Sequence, residues 1–391
     1  MGIKNLNSLI ETCSPSGIQL CSLTAFRGKK VAVDANVYLY KYMYGKATPI
    51  DGIFFMVNKF KKFHMTPIFV FDGKPPCEKE MTLQYRKQMK NRLETRIQEI
   101  NHSMEQLAIS GTGNDPDTTM VEDELRQQLQ HNERRLIYIS DEIIHLVKRL
   151  FDMMGVSYID SPMEAEHLCA KLCRAGYVDA VVSEDMDAIA CGSPVVLRDF
   201  SNRRDDIRVY TMQRILDDMG ITYSMFVDMC ILLGNDYMPR ARGYTPDMIY
   251  SDICQHETIE QIKQMRTFRL PDEYQCRRLR ALLNLDEISI SDEEWTRQLR
   301  KHQDLNKLKE FMCCHSTIDM DTISNRVEKM FSSEDRRPSV MDIRQKVETQ
   351  VESRLPWFSI TPRIHSEYRT IRGMTGLASA PSPVTTSSFV H

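Results

Sequence analysis

Residues 29–34, KKVAVD, form a short β-branched run that ends on a carboxylate. Residues 67–72, PIFVFD, repeat the pattern, and Gly73 and Pro75-Pro76 then force a stop. Near-continuous apolar runs of this length read as strands buried on both faces of a parallel sheet. Residues 53–63 between them carry helical spacing, so the segment reads as a strand–helix–strand unit with Asp34 and Asp72 at the strand ends. Residues 179–183, DAVVS, make a further strand and run straight into Glu184-Asp185-Met186-Asp187. Val195–Leu197 and Ile207–Tyr210 read as shorter ones, and helices dominate from 212 to about 350. The expected class is α/β, with a central, mostly parallel twisted sheet and helices on both faces. In such sheets ligands bind beyond the carboxyl ends of the strands.

Seven carboxylates fall in five places: Asp34, Asp72, Glu164 with Glu166 in SPMEAE, Asp185 with Asp187, and Asp236 in LLGNDY. Each has an ordinary reading. An Asp at a strand end is a common turn former. Ser161, Pro162 and Glu164 spell a helix start in which Glu164 closes a capping box. Positions i and i+2 on a helix face apart, so Glu164 and Glu166 share a site only if Glu164 sits at the loop–helix junction. Capping and ligation therefore compete at Glu164. Asp185 and Asp187 on an extended segment point to one side. Turn chemistry does not explain why the first six lie at strand ends or helix starts along one sheet edge. So much charge in one place calls for cations. An all-oxygen set points to hard ions, Mg²⁺ first and Mn²⁺ second. Paired hard cations point to phosphoryl chemistry.

The composition is that of an ordinary soluble protein: 391 residues, 27% charged, 42% hydrophobic and a net charge of −3. If seven acids sit on metal, the remaining surface is net basic. The eleven cysteines form no CxxC pair, and their odd number and the lack of a signal peptide fit reduced thiols inside a cell. Cys313-Cys314-His315 reads as buried thiols rather than a metal cluster. No apolar run is long enough to span a membrane. Leu6 stands where a myristoylation motif needs Ser or Thr. Residues 78–150 differ in character: Lys79, Arg86, Lys87, Lys90, Arg92 and Arg96 stud a polar helix, a loop follows at 110–119, and a second helix is expected over 121–150. A solvated helical hairpin is the plain reading. From about 361 the chain turns to Pro, Ser and Thr and reads as a disordered tail.

The segments MGIKNL, VAVDANVYLY, FVFDGKPP, SPMEAEHLCAKL, VSEDMDAIACGSP and ILLGNDY, over about 1–110 and 135–250, resemble the flap endonuclease (XPG-type) family of structure-specific 5′ nucleases. The resemblance implies a PIN-like 5′-nuclease fold with a helical arch and a helical duplex-binding region. It divides the chain into 1–110 and 136–255 as nuclease regions, 111–135 as the arch insertion, 256–360 as a helical C-terminal part, and 361–391 as a tail. It implies two Mg²⁺ ions, with Mn²⁺ able to substitute. Asp34, Asp72, Glu164 and Glu166 would hold one, and Asp185, Asp187 and Asp236 the other. Lys79 and Arg86, seven and fourteen residues after Asp72 and so about two helical turns apart, would face the scissile phosphate. DNA contacts are implied for Gly2, Tyr40, Lys59, Glu164, Gly234, Asp236, Arg240 and Arg242, with Tyr40 stacking on a base. The implied activity is two-metal cleavage of 5′ flaps in replication, repair or recombination. The rivals are a 5′→3′ exonuclease of the same superfamily and a non-catalytic DNA-binding scaffold. The implied partner is flapped or branched DNA; no membrane is involved, and a monomer is expected.

The chain departs from the family pattern in three places. Gly243-Tyr244-Thr245-Pro246 replaces a GxGP turn, and Asp247-Met248 replaces a basic pair. A potassium-assisted duplex clamp is thus expected to be weaker here or to lack its ion. Met56 stands where the family often has a template-strand arginine, with Lys59 as the substitute. The sliding-clamp peptide is reduced to residues 352–359, ESRLPWFS, without its Gln and second aromatic, and the basic nuclear-targeting tail is missing. That trimming is compatible with a viral member working in the host nucleus; otherwise the nucleus is expected, with the cytoplasm as an alternative.

Overall fold

Seven strands form one sheet in the order β1-β7-β6-β5-β2-β3-β4. The computed structural model describes residues 2–45, 48–109, 116–285, 288 and 304–332. They belong to one compact unit, Met1–Arg336. The arch tip, the clamp peptide and the tail lie outside the described residues.

The strands are β1 (Ile18–Ser22), β2 (Lys30–Asp34), β3 (Thr66–Phe71), β4 (Ser157–Asp160), β5 (Ala180–Val182), β6 (Val195–Arg198) and β7 (Asp206–Thr211). Strands β4, β3, β2, β5 and β6 run parallel, and β7 and then β1 add antiparallel pairs. Each expected strand is present. Strands β1 and β4 were not read from the sequence, because both lie at sheet edges and are only partly buried.

The two faces are separated by strand alternation. Ala32, Ile68, Val70, Val181 and Val196 join one core with helices α7 (Ala165–Arg174), α9 (Met212–Met219) and α10 (Tyr223–Leu233). The alternate residues face the other way: Phe69 stacks on Phe151 of α6 (Asp141–Met154) with ring centroids 4.3 Å apart. Helix α1 (Leu6–Cys13) precedes β1, and helices α2 (Ala35–Tyr44) and α3 (Pro49–Lys62) fill the β2-to-β3 crossover. From β2 the chain steps one way to β3 and β4, then crosses back to β5. That reversal makes the β2/β5 border the topological switch point, where open α/β sheets bind ligands.

Helix α4 (Glu80–Ile109) and α5 (Pro116–Arg135) pair as a hairpin. The single second helix expected over 121–150 is two helices. Ser140 caps a new one by accepting from the Ile143 N–H, and α6 buries Val147, Leu150, Phe151 and Met154 in the core. Beyond α8 (Asp187–Ala190) and α10 come α11 (Pro246–His256), α12 (Ile259–Met265) and α13 (Glu273–Asn284), then Leu305–His315 and Met320–Ser332. No helix among the described residues is long and apolar enough to cross a membrane.

Buried Asp228 ties three of these helices. Arg280 of α13 grips it at both oxygens, 2.6 Å each, and the Ile259 N–H at the start of α12 adds 3.1 Å. Breaking a buried pair leaves an uncompensated charge. Arg280→Met is therefore expected to cost about 3 kcal/mol in urea unfolding, whereas the exposed Arg277→Met, from an i,i+4 pair, should stay within about 0.5 kcal/mol.

Candidate metal centre and nuclease site

Asp34, Asp72, the Glu164–Glu166 pair and the Asp185–Asp187 pair lie at or after the carboxyl ends of β2, β3, β4 and β5, and Asp236 follows α10. Asp34 ends β2 and caps α2, accepting from Val37 N–H at 3.2 Å, while Ser183 Oγ donates to its other oxygen at 3.0 Å. Asp72 follows β3 at the solvent rim, where Asn36 Nδ2 (2.6 Å) and Ala165 N–H (2.8 Å) donate to it. Asp72 thus satisfies the first turn of α7, the task assigned from sequence to a capping box. That box is not formed. Glu164 is itself the N-cap and makes no side-chain cap bond, while Ser161 Oγ donates to Glu164 O. The competition at Glu164 is resolved: its carboxylate is turned away from the helix and into the site. Glu166, one step into α7, is also buried.

Asp185 and Asp187 do not share an extended segment. Asp187 begins α8, and its N–H donates to Asp185 Oδ1 at 3.1 Å. They converge because the turn folds back. Ile3 N–H binds Asp187 Oδ1 at 3.0 Å, and Gly2 lies against both acids. A Cβ at Gly2 would stand 1.8 Å from Asp185 Oδ1, at a φ of +81° that side chains avoid, so only glycine fits.

Helix α4 brings the countercharge. Lys79, in the turn that opens it, is buried and pairs with Glu164 Oε1 and, at 3.0 Å, with Asp236 Oδ2. Arg86 Nη2 reaches the same Asp236 oxygen at 2.7 Å, and Thr82 Oγ1 donates to the Asp236 carbonyl at 2.5 Å. The hairpin is therefore rooted in the acid cluster, which the solvated-hairpin reading does not provide. Among the described residues no three acid, His or Cys side chains close to ligand distance around one point. The Lys79 ammonium stands between Glu164 and Asp236 instead.

The protonation pattern records an excess of negative charge. Burial, then the Asp72 charge, pushes the Asp34 carboxyl up to about 8. Burial and neighbouring acids raise Glu166, beside Glu164, and Asp187, beside Asp185, well above the carboxylate range. Burial also raises Asp236, but Lys79 and Arg86 outweigh it and hold that carboxyl low. The donor set is all oxygen, four of its acids (Asp34, Glu164, Glu166 and Asp187) are buried, and carboxylates outnumber the two cations beside them, which fits hard divalent cations.

The chain matches the XPG N-terminal domain model over residues 1–93 and the XPG I-region model over 155–236. Flap endonuclease 1 of Brugia malayi is 30% identical over 350 residues, covering 84% of this chain and 87% of that protein. The chain belongs to the flap endonuclease (XPG-type) family. Human flap endonuclease 1 is 28% identical, over 85% of this chain and 87% of that protein. Flap endonuclease-1 from Methanococcus jannaschii superposes with a TM-score of 0.60 at 21% identity, over 86% of this chain and 100% of that one. The catalytic core of Rad2 in complex with DNA substrate gives 0.58 at 20%, over 84% and 100%. The last two likenesses establish the fold.

Of the residues expected to contact DNA, Lys59 and Gly234 are buried, whereas Tyr40, Arg240 and Arg242 reach the surface. Lys59 is buried; its ammonium binds the carbonyls of Ser201 (2.6 Å) and Arg204 and the Asp205 carboxylate (3.1 Å). It fastens the loop before β7 and does not replace an arginine at Met56, which is itself buried in the inner face of α3. Gly234 is buried too, its φ is +87°, and a Cβ there would stand 2.5 Å from the Arg240 backbone nitrogen. Arg240 is partly exposed and meets Asn5 at 3.4 Å, and Arg242 is exposed. Tyr40 is partly exposed and stacks with Tyr44, ring centroids 6.5 Å apart. In the altered turn, Tyr244 is buried and donates to Asp252 at 2.8 Å. Arg266 grips the same acid at 2.7 and 2.9 Å, and Phe268 stacks on Tyr244 at 4.4 Å. Cys313 and Cys314 are exposed, contrary to the buried reading.

The side chains that orient the acids carry no charge and so leave no mark in a pattern of carboxylates: Asn36 on Asp72, Ser183 on Asp34, and Tyr237, whose hydroxyl donates to Glu164 Oε2 at 2.6 Å and lies 3.1 Å from His167 Nε2. Glu184 carries charge but turns away, bound to Lys41 at 2.5 Å, to Tyr38 at 3.2 Å and to the Asp199 N–H at 3.0 Å.

The raised carboxyls set a pH dependence. A group whose folded pKa exceeds its unfolded value contributes stability below the unfolded value and loses it as pH rises through the folded one. For Asp34 that window runs from 3.8 to about 8. His167, lowered by burial from 6.5 to about 4, acts oppositely, but only below 6.5. In chelator the melting temperature is therefore expected to fall between pH 6.5 and 8. Added Mg²⁺ should raise it more at pH 8 than at pH 6.5, as scanning fluorimetry would show.

Proposed function

We propose that the chain is a divalent-metal-dependent, structure-specific DNA endonuclease that cuts 5′ flaps at single-strand/duplex junctions. The observation that carries this reading is the meeting of Lys79 and Arg86 from the helical hairpin with Glu164 and Asp236, inside the family's fold and beside the acids that follow the parallel strands. A site with excess carboxylate and two nearby cations suits a substrate whose reacting group is an anionic phosphate.

Two Mg²⁺ ions fit the donor set, with Asp34, Asp72, Glu164 and Glu166 as one group of ligands and Asp185, Asp187 and Asp236 as the other; Mn²⁺ would substitute. Bound there, such ions lower the pKa of water and neutralise charge on attacking and leaving oxygens. The chain's own groups do the rest. Ser183 and the Val37 N–H orient Asp34, and Asn36 and the Ala165 N–H orient Asp72. Gly2 and Ile3 set Asp185 and Asp187. Lys79 and Arg86 already share one carboxylate oxygen, so both lie within reach of one phosphate group. Their charge would stabilise the transition state. Tyr40 would stack a base beside the scissile bond, and Arg240 and Arg242 would meet duplex phosphates.

The chain is proposed to act as a monomer in DNA replication, repair or recombination in a nucleus. The altered peptide at 352–359 makes sliding-clamp recruitment weak or dispensable. Product size tests the reading. Purified protein, Mg²⁺ and a 5′-labelled flap should release the intact flap oligonucleotide. Release of mononucleotides alone would establish the exonuclease reading instead.

A further inference from the structure

Glu164 is held on two sides by different partners. Oε1 meets Lys79; Oε2 accepts from the Tyr237 hydroxyl at 2.6 Å. The same hydroxyl lies 3.1 Å from Nε2 of His167, and the two rings stack with centroids 6.2 Å apart. His167 is 1% exposed, and its Nδ1 has no hydrogen-bond partner.

These contacts fix the direction of the chain of hydrogen bonds. An ionised carboxylate only accepts, so the single phenolic proton goes to Glu164. The phenolic oxygen must then accept from Nε2–H of the imidazole. A neutral imidazole has one donor and one acceptor, which leaves a lone pair on Nδ1. An unpaired buried acceptor is the less costly orphan, as an unpaired N–H would be the worse one. His167 thus prevents the phenol from turning its proton away from Glu164.

The two holds on Glu164 also differ in permanence. Lys79 stands on the hairpin root and is the group expected to turn toward phosphate. His167 is anchored in α7, the helix that Glu164 itself caps, and Tyr237 directly follows Asp236. We propose that Tyr237 and His167 form a positioning pair that keeps the Glu164 carboxylate in its ligating orientation when Lys79 turns to substrate, and so set the affinity of the site for its divalent cation. The proposal rests on the reading of Glu164 as a metal ligand. Hydrogen-bond partners of ligands typically govern metal affinity in this way.

The test is calorimetric titration of Mg²⁺ into the full chain without DNA, for wild type, Tyr237→Phe, His167→Leu and His167→Gln. Tyr237→Phe removes one oxygen and keeps the ring; His167→Gln keeps a side-chain N–H donor. Tyr237→Phe and His167→Leu are expected to weaken Mg²⁺ binding about 10- to 100-fold, with flap affinity in chelator unchanged. Their cleavage deficit should vanish at saturating Mg²⁺, and His167→Gln should recover much of the affinity. If His167→Leu fails to fold, Tyr237→Phe decides. Unchanged Mg²⁺ affinity in a folded Tyr237→Phe, or a deficit that Mg²⁺ does not relieve, overturns the proposal while leaving the metal site standing. A wild type that takes up no Mg²⁺ overturns both.

Discussion

Asp185→Ala is expected to abolish flap cleavage while binding the flap as tightly as wild type. Asp185 is only partly buried, lies against Gly2, and accepts from the Asp187 N–H. Among the described contacts it holds no cation of the hairpin: Lys79 and Arg86 both turn to Asp236. Burial is the largest cause of its raised pKa, and the Asp236 charge adds to it. Removing one of several repelling carboxylates should therefore not lower stability in chelator, and the melting temperature should hold or rise. What is lost is a ligand. Single-turnover cleavage with Mg²⁺, electrophoretic binding in chelator and a thermal melt separate the three quantities. Turnover near the wild-type rate would remove Asp185 from the metal site. Loss of binding in step with loss of cleavage would make it a DNA contact.

Lys79→Ala is expected to show two large effects of different origin. In the chemical step it removes a buried cation from the place where phosphate charge develops, a loss of about 10²- to 10³-fold in the single-turnover rate. In stability it leaves Glu164 and Asp236 without their shared ammonium. Breaking a buried pair of this kind costs about 3–5 kcal/mol, and the Lys79 and Glu164 side chains are 10% and 9% exposed. Mg²⁺ should recover part of the stability but little of the rate, because a cation restores the charge balance without restoring the donor. Arg86→Ala separates the two effects. Its side chain is half exposed, so its pair contributes little stability, yet its reach to Asp236 places it for the same chemistry. A slow but fully stable Arg86→Ala, beside a slow and unstable Lys79→Ala, is the expected pattern in urea melts and single turnover.

The strands that carry the site were legible because their physics is local. VAV at 31–33 and IFVF at 68–71 are buried on both faces, so every residue in them is apolar and the first polar residue, Asp34 or Asp72, marks the end. The acids followed at once. Glu164 was ambiguous because the capping signature is a statement about spacing alone. The contact that decides it, Asp72 with the Ala165 N–H, joins residues 93 apart. Lys59 shows the same limit in reverse. It lies in the basic last turn of α3, where a cation normally faces water, but the loop at 201–205 folds over it and supplies the acceptors. Tyr237 and His167 carry no formal charge at neutral pH, so no count of acids and bases reaches them. Their meeting joins residues 70 apart, His167 in α7 and Tyr237 in the turn beyond α10.

These acids and cations are expected to act together as a metal-dependent site that cuts flapped DNA. The most direct measurement is single-turnover incubation of the wild-type protein with a 5′-labelled flap in Mg²⁺, in Mn²⁺ and in chelator. Cleavage near the junction in both metals and none in chelator is the expected result. No cleavage in either metal, or cleavage that persists in chelator, would contradict it.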